Sequence, residues 1–331
     1  MNPIASIPSP PISQFTLGPF TLHIYALCLL SGIAFAWWLG TRRWVARGGL
    51  AETFETIVLW AIPSGIIGAR IYHVITHWDD YFAPGRNPIS ALFIWEGGIA
   101  IFGSLMGGAI GAIIACRITG ARLTSFADAL APGLLAAQGI GRLGNWFNQE
   151  LFGGPDNGPL GLEIDVAHRP PEYRDVATFQ PTFLYEMTWN LVGAALLLWL
   201  DRRFKLGWGK LFCLYMVVYG SGRFWIEGIR TDFSYYFGPL RTNQVTALLI
   251  AVAGLVLFLV LTRVRPGREP WVERRGTGGP AHVEQSTSDT DDAAATTAEH
   301  EGGEGTSATP GDPEPGAVRG EGEAASPEGT S

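Results

Sequence analysis

Residues 138–154 read QGIGRLGNWFNQELFGG and follow on an apolar run that starts near Leu123. One cation (Arg142), two carboxamides (Asn145, Asn148) and one acid (Glu150) stand there among glycines. In a water-soluble chain such a stretch is a polar turn. At the end of a membrane segment it means more, because an ionisable group costs roughly 2.5–3.5 kcal/mol at the centre of a spanning helix and is kept there for function. A guanidinium beside carboxamides suits a phosphate, which it grips through two parallel charge-assisted hydrogen bonds. The glycines let backbone approach a ligand closely. The structural alternative is a capped helix end whose arginine snorkels to the interface.

The rest of the chain supplies the membrane. It is 47% hydrophobic and 16% charged, with 12 Trp and 18 Phe among 331 residues. Seven apolar runs approach the length of about 20 residues that crosses a bilayer: Phe20–Gly40, Thr53–Tyr72, Ile99–Cys116, Leu123–Ile140, Thr182–Leu200, Gly209–Trp225 and Asn243–Thr262. Basic residues test that count. Arg42, Arg43 and Arg47 follow the first run and Arg117 and Arg122 the third. Arg202, Arg203, Lys205 and Lys210 follow the fifth, and Arg263, Arg265, Arg268, Arg274 and Arg275 the seventh. The intervening loops hold Arg86, Arg142, Arg169, Arg174, Arg230 and Arg241. By the positive-inside rule this alternation predicts an all-α integral membrane protein of seven transmembrane helices, with the N-terminus outside and the C-terminus cytoplasmic.

Three further segments complete the organisation. Residues 1–19 form a periplasmic N-terminal segment without a basic n-region, so the first membrane helix is expected to direct insertion. Within the membrane domain, 20–265, the insertion 146–181 carries turn chemistry (GGPDNGPLG, HRPPEY) and the β-like LEIDV, and is read as a small periplasmic cap. From Pro266 onward there are 4 Lys+Arg against 14 Asp+Glu and few large apolar residues. That composition predicts a disordered acidic cytoplasmic tail over 266–331, because it cannot bury enough surface to offset ordering. Cys28, Cys116 and Cys213 sit inside apolar runs, which argues for packing rather than disulfides or metal. Gly103, Gly107 and Gly111 make a small-xxx-small ladder, read as helix packing, and the pairs Gly97–Gly98 and Gly107–Gly108 suggest local irregularity.

Given this topology, polar groups gather at one end. His23, Tyr25, Arg70, His73, Glu96, Arg142, Glu186, Arg223 and Glu227 all fall near the outer ends of their runs. Arg223 and Glu227, four residues apart, share a helix face and are suited to an ion pair. A pore or proton relay would need polar residues through the whole depth. The pattern instead suggests a site facing the outer leaflet.

GRLGNWFNQELFG (Gly141–Gly153) closely resembles the signature of the bacterial prolipoprotein diacylglyceryl transferases. Collinear matches are LHIYAL around Tyr25, GAR at Gly68–Arg70, WEGG at Trp95–Gly98, QPTFLYE at Gln180–Glu186 and YGSGRFWIEGIR at Tyr219–Arg230. The resemblance spans about Leu17 to Thr262. It implies transfer of the diacylglyceryl group of phosphatidylglycerol to the lipobox cysteine thiol in the signal peptide of a preprolipoprotein, giving a thioether and releasing glycerol phosphate. No His/Asp cluster has ligand spacing, so no metal is expected, nor is a cofactor or a nucleic-acid partner. By this resemblance Arg142 binds the lipid phosphate and Arg223 is essential. Tyr25, Asn145, Glu150, Gly153 and Glu227 match other functional positions, with Asn145 and Gly153 on the phosphatidylglycerol side. Two residues depart from the family pattern. Phe102 stands where a histidine, proposed as base, is usual, and Gln180 where His-Pro usually begins the motif. The proton acceptor is therefore left among Glu150, Glu227 and the substrate phosphate. A non-catalytic lipid-binding protein, or a transporter of an anionic lipid or solute, remains the alternative from the residues alone.

Overall fold

The structure, a computed structural model, describes residues 6–18 and 20–274. Seven long helices are present among them: α1 (Ile24–Val45), α2 (Ala51–Thr76), α4 (Ile101–Thr119), α5 (Leu123–Asn148), α6 (Thr182–Phe204), α7 (Lys210–Ile229) and α8 (Thr242–Val264). A short helix, α3 (Trp78–Phe82), follows α2. Each long helix coincides with one apolar run. By length and apolarity, α1, α2, α4, α6 and α8 are able to cross a membrane. The helices α5 and α7 are 26 and 20 residues long but more polar, since they carry Asp128 and Arg142, and Lys210, Arg223 and Glu227. Among the long helices α5 keeps the most residues buried, thirteen, whereas α8 buries two, so polarity here follows interior position.

The tightest helix pairs are α2 with α4, α1 with α5 and α7 with α8. The ladder on α4 is a contact seam with α2, where a Cβ on Gly111 would stand 2.6 Å from the Trp60 carbonyl oxygen. Small residues there let backbones touch, and α4 stays a continuous helix through Gly107–Gly108, without the expected irregularity. At the other pair, Gly97 and Gly98 just before α4, the backbone does turn irregularly, with φ of 91° and 73°. Three two-stranded antiparallel hairpins lie just before helices: β1 (Gln14–Leu17) with β2 (Phe20–His23) before α1, β3 (Leu162–Glu163) with β4 (Thr178–Phe179) before α6, and β5 (Tyr236–Phe237) with β6 (Leu240–Arg241) before α8. The run expected to start at Phe20 is thus a strand for its first four residues.

The insertion packs Phe152, Leu162, Ile164 and Phe179 against Phe183 of α6, and β3 falls within LEIDV. It is shorter than the sequence suggests, because Trp146–Asn148 still belong to α5. The N-terminal segment is tied to it, Ile7 bridging Leu162.

The other end of the bundle corrects the tail boundary. Residues 266–274, assigned by composition to the tail, pack into the helical body. Val272 joins a core with Trp44, Phe54 and Phe126, and its carbonyl accepts from Arg122 N–H at 2.8 Å. Glu269 and Glu273 are buried and accept from the backbone N–H of Trp208 (2.8 Å) and Leu50 (2.9 Å). Two carboxylates with backbone partners and one apolar anchor outweigh an average composition. The remainder of the acidic tail, from residue 275, lies outside the described residues.

Candidate active site

The signature stretch is helical for most of its length. Nothing between Ile140 and Asn148 breaks the helix, so α5 runs on past the boundary read from hydropathy and ends at Gln149, which takes φ 52°. Arg142 and Asn145, three residues apart, therefore share a face, and Asn145 Oδ1 accepts from Arg142 Nη1 at 3.1 Å. The left-handed Gln149 turns the chain back, so that Glu150 Oε1 accepts from Asn145 Nδ2 (2.8 Å) and Asn148 Nδ2 (3.2 Å). Gly144 leaves room for Tyr25 of α1, whose backbone Cα would stand only 3.1 Å from a Cβ at that position.

From α7, Arg223 faces the same space. Its Nη2 lies 2.7 Å from Glu227 Oε2, which realises the expected i, i+4 pair. Glu227 is fully buried beneath three arginines, Arg230 at 3.4 Å and Arg241 at 3.3 Å being the others, and accepts from Asn243 Nδ2 at 3.1 Å. Glu186 of α6 joins the two arginines: its Oε1 is 2.5 Å from Arg142 Nη2, and its Oε2 is 3.6 Å from Arg223 Nη1.

The guanidiniums of Arg142 and Arg223 line a cavity of about 400 Å³ together with Tyr25, Gln138, Asn145, Tyr219 and Asn243. Leu29, Ile101, Phe102, Leu105 and Ile250 form its apolar wall. Two cations at one side and hydrocarbon on the other suit an amphiphilic anion. A family model described as prolipoprotein diacylglyceryl transferase matches residues 12–260.

The chain belongs to the prolipoprotein diacylglyceryl transferase family.

It is 54% identical over 258 residues to the phosphatidylglycerol–prolipoprotein diacylglyceryl transferase of Cutibacterium acnes, covering 78% of this chain and 87% of that one. The second such transferase of Streptomyces coelicolor is 47% identical over 275 residues, 83% of this chain and 87% of that one. That of Streptomyces griseus is 46% identical over 283 residues, 86% of each. The protein is accordingly a diacylglyceryl transferase enzyme.

Of the residues singled out in the sequence, Tyr25, Arg142, Asn145 and Arg223 meet at this cavity. Glu150, Glu227 and Gly153 do not line it. Glu150 acts on it through Asn145, and Glu227 through Arg223. Gly153 seats the cap, its N–H donating to the Gln180 carbonyl at 3.0 Å and its backbone bridging Arg230. Arg70 is buried and donates to the carbonyls of Ser90, Ala91, Gly97 and Gly98, so it shapes the loop before α4 rather than the cavity. Neither His23 nor His73 lines the cavity, and His73 stacks on His77 at 4.2 Å. Phe102 does line it.

Two residues of the constellation were not placed there by sequence reasoning. Glu186 was visible as a polar group near a helix start, but its bridge between two other helices is non-local. Arg241 was counted only as a loop charge. It is 3% exposed and its side chain donates to the carbonyls of Glu227, Arg230 and Asp232. No local pattern announces that.

Proposed function

We propose that this enzyme transfers the diacylglyceryl group of phosphatidylglycerol to the lipobox cysteine thiol of preprolipoproteins, at the outer side of the bacterial cytoplasmic membrane. The observation carrying this reading is the convergence of Arg142 and Arg223, from separate helices, on one apolar-walled cavity. All seven long helices cross the membrane, with the N-terminus outside, because the basic residues cluster at the end away from the cavity.

The chemistry follows from that placement. The lipid phosphate sits between the two guanidiniums with its acyl chains along Leu29, Ile101, Phe102 and Leu105. The cysteine sulfur attacks the glycerol carbon that bears the phosphate, a carbon–sulfur bond forms, and the carbon–oxygen bond to phosphate breaks. Negative charge gathers on the departing oxygen, where preorganised cations in a water-poor site lower the barrier most. Glu227 is enclosed by arginines and Glu150 is engaged by two carboxamides. With phenylalanine at position 102, the thiol proton goes to the phosphate itself. It leaves on glycerol phosphate, so no proton or charge is left over.

The cavity's polar groups lie at one end of the bundle, which favours transfer over transport. The direct test is purified enzyme in nanodiscs with headgroup-labelled phosphatidylglycerol and a lipobox peptide. Released labelled glycerol phosphate and thioether-linked peptide in equal amounts are expected. Binding of lipid without either product would leave a lipid-binding protein instead.

A further inference from the structure

The carboxylate of Glu186 is where the two halves of the arginine constellation meet. Arg142 is held from one side by Asn145, itself held by Glu150. Arg223 is held from the other side by Glu227, which Arg230, Arg241 and Asn243 fix in turn. Among the described residues Glu186 is the side chain that contacts both arginines, one with each carboxylate oxygen. It is buried, with its side chain 6% exposed against 21% for Arg142 and 16% for Arg223, and it is absent from the cavity wall that both arginines line. The carboxylate therefore stands behind the guanidiniums.

We infer that Glu186 is a positioning residue: it sets the separation and aim of Arg142 and Arg223 so that their cavity faces match one phosphate. This rests on the phosphate-clamp reading above. The physical argument is geometric and electrostatic. Two guanidiniums aimed at one small space repel each other, and without a bridging anion they splay until a ligand arrives. A phosphate still binds between the splayed cations, but they no longer stand where charge develops on the departing oxygen. A built-in carboxylate does the gathering in advance, from the side the substrate does not use. Asn190, also on α6, is 2% exposed, and α6 packs along α5, so the backbone that carries Glu186 is fixed by the bundle. It also contributes a negative charge that weakens anion binding. Its removal is thus expected to tighten ground-state anion binding while slowing the reaction, a signature that a damaged fold does not give.

The experiment compares Glu186→Gln and Glu186→Asp with the full-length parent enzyme in nanodiscs. Turnover is measured against phosphatidylglycerol concentration, and competition by glycerol phosphate alongside. For Glu186→Gln, kcat falls about 10²-fold, the scale of a small misplacement of catalytic groups, while glycerol phosphate inhibits at equal or lower concentration. Glu186→Asp keeps the charge but is one methylene too short to reach both arginines, and loses about 10-fold in kcat with parent-like inhibition. Turnover of Glu186→Gln within threefold of the parent overturns the inference. So does lost turnover with correspondingly weaker inhibition, which is the mark of a collapsed site. If Glu186→Gln does not fold, parent-like kcat in Glu186→Asp overturns it as well. Arg142→Ala and Arg223→Ala run in parallel separate the two claims. Full activity in those variants removes the clamp itself, whereas their inactivity beside a normal Glu186→Gln removes only the role of Glu186.

Discussion

The two ends of the bundle each hold a cluster of buried arginines and carboxylates, and they do different things with the same residue types. At the end away from the cavity, Asp201 accepts from Arg43 (3.1 Å), Arg47 (3.1 Å) and Arg268 (2.6 Å), while Asp128 accepts from the backbone N–H of Gly209 and Phe212, each at 2.9 Å. The side chains of Arg47 and Asp128 are 2% and 0% exposed. Apart from Arg268, which reaches in from the rim, that cluster is closed, and it ties α1, α5, α6, α7 and residues 266–274 together. At the cavity end the carboxylates Glu186 and Glu227 are just as buried, but the arginines they hold keep one face toward open space. Charge here thus serves as a lock where the carboxylates and their arginines turn on one another. It is left free to meet a ligand where cations are held from behind and face a cavity.

The sharpest way to break this comparison is at Arg142. Arg142→Ala should lower turnover at least about 10³-fold, the upper range for loss of one preorganised charge-stabilising donor, with little change in unfolding temperature. Arg142→Lys should recover little, because one ammonium cannot reproduce a two-point grip. Turnover near that of the parent enzyme in the lysine variant would leave Arg142 only a generic positive charge. The mirror experiment is Asp128→Ala, which leaves Arg47 with Asp201 but strands the backbone N–H groups of Gly209 and Phe212. A buried donor left without its acceptor costs about 1–3 kcal/mol, so the unfolding transition in nanodiscs should fall clearly while kcat per folded molecule stays within threefold. A specific loss of kcat without loss of stability would mean that the two ends are coupled.

A smaller effect is expected at the C-terminus. Truncation after Arg275 should leave both transfer and stability unchanged, whereas truncation after Arg265 removes Glu269, Val272 and Glu273 and should lower the unfolding temperature measurably. Equal stability of the two truncations would show that residues 266–274 add nothing to the lock. The smallest change belongs to Phe102→Leu, which should keep turnover within a few-fold, since the ring supplies only cavity wall. Phe102→His sharpens the point. Under phosphate-assisted deprotonation it adds no ionisation to the kcat/KM profile. A strong gain with a new limb near neutral pH would instead make a histidine base worth its usual 10²–10⁴-fold, as an order of magnitude, and this chain a slower variant without it.

Much of this was legible in the chain. Each of the seven apolar runs is a long helix, and LEIDV contributes to a strand in the cap. Arg142, Asn145 and Glu150 do form one hydrogen-bonded unit, because their spacing on a helix and across its terminal turn is local. The boundary at Ile140 came early because hydropathy falls where α5 meets the site, although the backbone has no reason to stop there. The boundary at Pro266 failed for the opposite reason. Composition averages over a window, and nine residues with specific partners vanish in a tail with 14 acids.

Sequence alone determined the helical membrane character, the family and the two arginines that meet at the cavity, since hydropathy and a thirteen-residue motif are properties of neighbours along the chain. Only the tertiary structure decided what holds those arginines. Glu186 reaches Arg142 and Arg223 from a third helix, and Arg241 reaches Glu227 from the start of a fourth. Those contacts join residues between 14 and 44 positions apart, where no periodicity carries information. They exist because buried charges must find partners, and which partners are within reach is set by how the helices pack.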